Sequence, residues 1–350
     1  MIGFSIAVGV FLILAILLLI FRLHTLMSVV KKSDEKVGSG SNKTNAMLFM
    51  VFLVLGFILL FWYSIKNFDV YQIPIASEHG VITDRLFWIT MGITGVVFII
   101  TQILLFYFSY KYQHNPDRSA LFFPENNKLE MIWTIVPAIV LTSLVVYGLV
   151  VWNKVMAPAP QNSEVVEILG SQFAWKVRYP GKDETLGAYD FRKVDATNEF
   201  GLDFSDRATY DDFTPRELHL PKGQPVEFRI RARDVLHSVF APHFRLKMDA
   251  VPGMPTRFWF VPTKTTAEMR IETGNPDFNY EIACTEVCGR GHFSMRLLVV
   301  VEEPEAYEKW KSEQEPWLSK NPEYLTQVPD NLKEVAMIKS QIETTTLNRR

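Results

Sequence analysis

Long apolar stretches separated by short polar connections fill the first 152 residues, and shorter alternating segments follow. Four stretches, Ile2–Phe21, Ala46–Ile65, Leu86–Tyr110 and Met131–Trp152, carry no Lys, Arg, Asp or Glu in their interiors. About 20 helical residues cross the roughly 30 Å hydrocarbon layer of a bilayer, so each stretch predicts a membrane span. The first could instead be a signal peptide. It lacks a basic n-region and a small-residue cleavage site, its apolar run is too long, and no cysteine stands nearby for a lipid anchor, so an uncleaved span is expected.

The connections set the orientation. Arg22, Lys31, Lys32, Lys36 and Lys43 follow the first stretch, and Lys111, Arg118 and Lys128 follow the third. Only Lys66 and Arg85 lie between the second and third. The positive-inside rule places the first and third loops in the cytoplasm and everything after Trp152 outside. Ser33–Asn45, with its Gly-Ser-Gly-Ser, reads as a flexible inner loop. Aromatic residues such as Trp62, Trp88, Tyr110, Trp133 and Trp152 cluster near the ends of the stretches, as in an interfacial belt.

From about Gln161 to Val301 the period shortens. Val165–Ile168, Pro225–Ile230 and Met269–Ile271 alternate or run β-branched, and Pro180-Gly181, Pro221-Lys222-Gly223 and Val251-Pro252-Gly253 punctuate them. Such spacing predicts a β-sandwich, closing on Arg296–Val301 as a strong buried strand. Gly181–Thr214 interrupts it with nine acids against four bases. That segment reads as a solvated acidic flap or as a docking surface for a basic partner. Beyond Glu302 the chain turns charged. Pro304–Trp310 has helix-start chemistry, and the tail to Arg350 has little apolar period, so it is expected to lie along a partner or to be partly extended. The expected divisions are two N-terminal helices (1–66), a helical hairpin (82–152), a β domain (160–302) and a charged tail (303–350).

Charge narrows the function. In 350 residues, 36 Lys and Arg face 38 Asp and Glu, which excludes a basic nucleic-acid binder. Two cysteines, Cys284 and Cys288, cannot form a disulfide framework in so long a chain. They open a run, Cys284-Thr-Glu286-Val-Cys288-Gly-Arg-Gly-His292-Phe-Ser-Met295, and His237 stands upstream. Two thiols, an imidazole and a thioether favour copper over hard cations. A Cys2His2 zinc site is the chemical alternative, although zinc gains little from Met295. Cys-x3-Cys is one residue too long for a thioredoxin pair, and no Cys-x-x-Cys-His is present for a c-type haem. A blue-copper site needs one cysteine, one methionine and two histidines. The spare thiolate here permits two copper ions bridged by both sulfurs, a centre that spreads one electron over two metals and suits electron transfer.

His237 with the Cys284–Met295 run resembles the binuclear CuA motif of the cytochrome c oxidase subunit II family. Asp234–Ser238, Asp249–Gly253 and Leu129–Pro137 are also similar, so the resemblance covers roughly Ile82–Trp310. It implies a transmembrane hairpin followed by an all-β cupredoxin-like sandwich. It also implies that Cys284 and Cys288 bridge two coppers, that His237 and His292 are terminal ligands, that Met295 ligates weakly, and that Glu286 contributes its backbone carbonyl. The Glu286 side chain would reach a magnesium ion shared with subunit I, a hard cation that suits carboxylate. Glu130 matches the family's acid at the cytoplasmic mouth of a proton path, with an ordinary interfacial acid as the alternative. The implied function is to accept electrons from a c-type cytochrome and pass them to haem in subunit I. That partner reduces oxygen and pumps protons, so the chain is an electron-transport subunit of a translocase in the bacterial inner membrane, with the copper domain and tail outside.

The sequence departs from the family in two places. Four spans replace two, and the extra pair is expected to pack against neighbouring subunits or lipid. The family's Gln-Trp-x-Trp is Gln172-Phe173-Ala174-Trp175 here, so Phe173 stands where electrons usually enter while Trp175 is kept. Phe173 is either a packing change or the mark of a different donor, such as a haem domain fixed in a quinol-oxidising supercomplex. Val239 likewise replaces a common Trp, and His243 is expected to serve packing. The alternatives are a CuA subunit of a nitric oxide reductase, a membrane-anchored copper-delivery protein, and a quinol oxidase relative with a vestigial outer domain. A closed ligand shell opposes delivery, the presence of all the ligands opposes the quinol oxidase, and Glu130 and Glu286 favour the oxygen enzyme.

Overall fold

The computed structural model describes residues 2–30, 34–115, 118–119 and 121–342. Helix α1 runs Ile2–Val30, α2 Asp34–Lys66, the single turn α3 Phe68–Tyr71, α4 Glu78–Lys111 and α5 Asn127–Val155. Among the described residues, four helices are long and apolar enough to cross a membrane, over Gly9–Met27, Ser41–Lys66, Glu78–Lys111 and Asn127–Val155. The helices outrun the apolar stretches because apolarity marks only the part in hydrocarbon. A helix continues until a capping or breaking residue stops it. The expectation of a flexible loop over Ser33–Asn45 is corrected accordingly: Asp34–Asn45 forms the first turns of α2. A helix gives each backbone N–H a partner within its own segment, which a loop beside the bilayer does not. Lys31, Lys32 and Ser33, and the tail after Ile342, lie outside the described residues.

The described residues divide into two units, one holding residues up to 71 with 90–139, the other 72–89 with 140 onward. In the first, Phe49 and Phe52 pack on Phe106, and Phe57 packs on Phe98.

The second unit carries the sandwich. Its strands are β1 Glu164–Ser171, β2 Ala174–Arg178, β3 Leu218–Pro221, β4 Val226–Ala232, β5 His237–Ala241, β6 Leu246–Ala250, β7 Thr256–Phe260, β8 Tyr280–Cys284 and β9 Arg296–Glu302. They form one sheet ordered β2-β1-β4-β7 and another ordered β3-β9-β8-β5-β6. Val166, Ile168, Phe228, Ile230 and Phe260 of the first sheet share a core with Val239, Ile282, Leu297, Val299 and Val301 of the second. The buried strand expected over Arg296–Val301 is β9, which is buried on one face: Leu297, Val299 and Val301 point inward and Leu298 is exposed. The period of two gives each sheet one inner face.

Met269–Ile271, expected as strand, lies in helix α6, Thr266–Thr273. Thr265 Oγ1 accepts from Glu268 N–H at 3.1 Å, and Glu268 accepts from Thr265 N–H at 2.7 Å. This capping box supplies two helix-end partners that a strand start would not, and it outweighs the short alternation.

The acidic segment is neither a solvated loop nor a free docking face. Phe200, Leu202, Phe204 and Tyr210 bury their side chains against Trp317, Leu318, Tyr324, Leu325, Leu332 and Ala336 of the tail, forming a second core that also takes in Leu169 of β1. The tail therefore folds back on its own chain through α7 (Pro304–Ser312), α8 (Trp317–Lys320) and α9 (Lys333–Lys339), correcting the partner-bound or extended expectation. Most of the acids are engaged internally. Asp190 and Asp206 cap short 3-10 turns, Asp195 accepts from Tyr324 Oη at 2.8 Å, and Lys339 bonds Asp183 and Asp211.

Four buried ionisable side chains fasten this lobe to the first sheet. Glu167 accepts from Arg178 and Arg231, and Arg178 Nη1 donates to Asp212 at 2.7 Å and to the Gly187 carbonyl at 2.9 Å. Burial opposes the charge on Glu167, but the two guanidiniums outweigh it and hold its carboxyl below the usual range. Burial pushes the Asp212 carboxyl up to about 8 despite Arg178, so that member leans to its neutral form.

Candidate metal centre

The ligand run begins at the end of β8 and lies beside the start of β5. Cys284 closes β8 in register with Val239, and backbone bonds from Cys284 N–H to Met295 O (3.2 Å) and from Thr285 N–H to Ser238 O (3.1 Å) fix the loop. His237 opens β5 and is fully buried. These elements bring five of the expected ligands together. His237 Nδ1 lies 3.9 Å from Cys284 Sγ, the two sulfurs are 4.0 Å apart, and Cys288 Sγ lies 3.7 Å from His292 Nδ1 and 3.9 Å from Met295 Sδ. The Glu286 carbonyl is 3.2 Å from Cys284 Sγ, so the sixth expected donor faces the same space.

The two sulfurs lie at about twice a disulfide length, so they are not bonded to each other. A metal roughly 2.3 Å from thiolate and 2.0–2.1 Å from imidazole nitrogen holds tetrahedral neighbours roughly 3.5–3.8 Å apart. The donor set, at 3.7–4.0 Å, is slightly wider than that spacing. Each sulfur has one imidazole beside it, so the arrangement is symmetric about the sulfur pair. His237, Cys284 and Cys288 place their donor atoms within 4.8 Å of one another, and His292 joins from the far side of Cys288. Met295 is 1% exposed. Burial first, and then the Cys284 sulfur, push the Cys288 thiol up to about 11, so a soft cation must displace the proton to bind.

Asp234 carries a role that the sequence reading missed. Its Oδ1 accepts from His237 Nε2 at 2.8 Å, which leaves Nδ1 with its lone pair toward Cys284. Its Oδ2 accepts from Gln172 N–H at 2.8 Å and ties the Phe173 loop to the same carboxylate. Its spacing of three residues before His237, within the family-like run Asp234–Ser238, is the signal in the sequence.

Trp175 is buried, with its ring 5.8 Å from that of His237. Phe173 is 39% exposed and lies against the ligand loop. A Cβ at Gly291 would come 2.5 Å from Phe173 Cγ, so glycine there admits the ring. Val239 is buried in the core, and His243 packs against Phe278 and Tyr280 while bonding the Pro74 carbonyl, as expected of a packing residue. The Glu286 side chain is exposed. Glu130 lies in the first turn of α5, also exposed and outside the unit that holds the donor set.

Two family models match the chain, the transmembrane domain of cytochrome c oxidase subunit II over residues 61–151 and its periplasmic domain over residues 163–303. The chain belongs to the cytochrome c oxidase subunit II family. The alternative cytochrome c oxidase subunit 2 of Bradyrhizobium diazoefficiens is 36% identical over 269 residues, covering 76% of this chain and 91% of that protein. Subunit 2 of Thermostichus vulcanus is 28% identical over 268 residues, covering 69% and 77%. The crystal structure of the periplasmic domain of cytochrome oxidase subunit II from Bradyrhizobium japonicum covers 44% of this chain and 95% of its own, at 22% identity and a TM-score of 0.30. Four apolar helices followed by the cupredoxin-type domain of subunit II fit a bacterial membrane protein that works with other subunits of an oxidoreductase complex. The family's transmembrane match begins at residue 61, so α1 and most of α2 are an addition to it.

Proposed function

We propose that this chain is the electron-accepting subunit of a haem–copper oxygen reductase, holding a binuclear copper centre on His237, Cys284, Glu286 O, Cys288, His292 and Met295. The sulfur–imidazole series at 3.7–4.0 Å carries the reading. The group, when bound, takes and returns one electron without making or breaking bonds to substrate. The chain's own residues hold the donors still. Strands β5 and β8 fix the backbone, Asp234 orients His237, and burial of Cys284, Cys288 and Met295 excludes water and opposes exchange of the metal with a recipient. A soft, closed donor set supports resident copper over a delivery role.

In this reading a c-type haem donates on the outer side, and haem in subunit I receives the electron for oxygen reduction coupled to proton pumping. Glu286 contributes a carboxylate to a magnesium ion shared with subunit I, and Glu130 lies at the cytoplasmic mouth of a proton path. Analysis of metal bound to the purified full chain tests the copper assignment. Two coppers per chain are expected, whereas stoichiometric zinc opposes it.

Phe173 supports a donor held in place by a quinol-oxidising assembly. Phenylalanine has no N–H and is harder to oxidise than tryptophan, so a freely diffusing cytochrome finds no indole on the exposed loop. Phe173→Trp is expected to speed reduction by soluble cytochrome c and to leave reduction within the native membrane assembly unchanged. Stopped-flow measurement of copper reduction checks this. Rapid reduction of the unaltered protein by soluble cytochrome, with no gain in the variant, defeats the tethered-donor idea.

A further inference from the structure

The turn between β1 and β2 lies against the ligand loop through Gln172 and Phe173. Gln172 Nε2 donates to the Cys288 carbonyl. The amide nitrogen must make that bond, because the amide oxygen has no hydrogen to give a carbonyl. Thr285 N–H to Ser238 O and Cys284 N–H to Met295 O hold the two ends of the loop. Its middle is held differently. Apart from the Cys284 sulfur beside Glu286 O, the Gln172 bond is, among the described residues, the one hydrogen bond that reaches the backbone of Glu286–Cys288 from another strand or loop.

The same residue reaches the other half of the donor set. Its backbone N–H donates to Asp234 Oδ2 at 2.8 Å, and Asp234 Oδ1 holds His237 Nε2. Both partners are distant in sequence, 62 and 116 residues on, although Gln172 sits on an exposed turn that could have bonded locally. The ligand loop is shaped to receive it. Gly289 has a φ of +134°, which glycine adopts readily. A Cβ there would come 3.0 Å from Gln172 Nε2 and 2.9 Å from Phe173 Cε1, so a larger residue would push the donor off the Cys288 carbonyl.

We infer that Gln172 is a positioning residue of the copper centre, tying the Cys288–His292 half of the donor set to the His237 half through one side-chain bond and one backbone bond. The inference rests on the metal site proposed above. Gln172 contributes no donor atom, so its effect passes through the Cys288 backbone and through Asp234. A centre that exchanges electrons without making or breaking bonds to substrate needs its donors in the same place in both oxidation states. Loss of the tie is therefore expected to show in metal release and in the balance of spin between the coppers.

Transfer of copper from the loaded, purified full chain to excess chelator tests the inference. Gln172→Met keeps the side chain's length and the backbone bond to Asp234 but has no N–H for Cys288. It is expected to release copper about tenfold faster or more, the range that lost outer partners of metal ligands cost. Gln172→Glu keeps the amide's shape and sets a carboxylate against the carbonyl, so it is expected to release copper at least as fast as Gln172→Met. In both variants the unpaired spin is expected to be shared unequally, while the thermal midpoint of the metal-free chain stays unchanged. Release at the parent rate in both variants overturns the inference. So does fast release from Gln172→Met alone, which assigns the effect to packing. A metal-free midpoint that falls in step with release also overturns it, because Gln172 would then serve the fold and not the centre. A parent chain that holds zinc or a single copper would defeat the function proposed above, and release of that metal from the same variants would still decide the role of Gln172.

Discussion

Cys288→Ser is expected to leave the chain with at most one copper ion and to abolish the two-metal optical and magnetic signals. Cys288 Sγ neighbours Cys284, His292 and Met295 at once, so its loss removes the donor common to most of the series. A serine hydroxyl is a hard, protonated ligand at neutral pH and does not bridge soft copper. Loss of an outer hydrogen bond to a metal ligand costs roughly 10–100-fold in affinity. Asp234→Ala is expected to fall in that range, and Cys288→Ser to exceed it. Metal analysis with titration against a copper chelator separates the two. A Cys288→Ser chain that keeps two coppers defeats the bridging role.

Trp317→Ala is expected to cost about 3–5 kcal/mol, as large-to-small changes at buried aromatics do. Trp317 packs on Phe204 and Tyr324 at ring separations of 5.8 and 5.0 Å in the core that joins tail to flap. Its N–H also donates to the Asp212 carbonyl at 2.7 Å, a bond the substitution keeps. The loss is therefore expected to be one of packing, opening residues 181–214 to limited proteolysis. The proposed sulfur donors belong to the other core, so the copper spectrum is expected to persist. Joint loss of spectrum and protease resistance would show instead that the two cores unfold as one.

The proposed metal centre is legible in the sequence as a candidate, because five of its six proposed donors fall within twelve residues, where spacing and ligand chemistry can be read directly. His237 lies far upstream, and its place came from resemblance to a family. Asp234 was invisible as a working residue, because a lone acid near a histidine has many ordinary uses. The membrane helices were clear from apolarity, which says nothing about how far each helix runs into polar sequence, hence Asp34–Asn45. Thr265 and Glu268 announce a helix start, which competes with the local alternation around Met269. The flap and tail were misread for a deeper reason. The contacts of Phe204 with Trp317 join segments more than a hundred residues apart, and acids such as Asp190 and Asp195 look solvated until their turn partners are known.

Electron paramagnetic resonance of the copper-loaded, purified full chain tests the central claim most directly. A one-electron, mixed-valence spectrum with the unpaired spin shared equally by two copper nuclei is predicted. A spectrum from a single isolated copper, or a silent site filled by zinc, would contradict it.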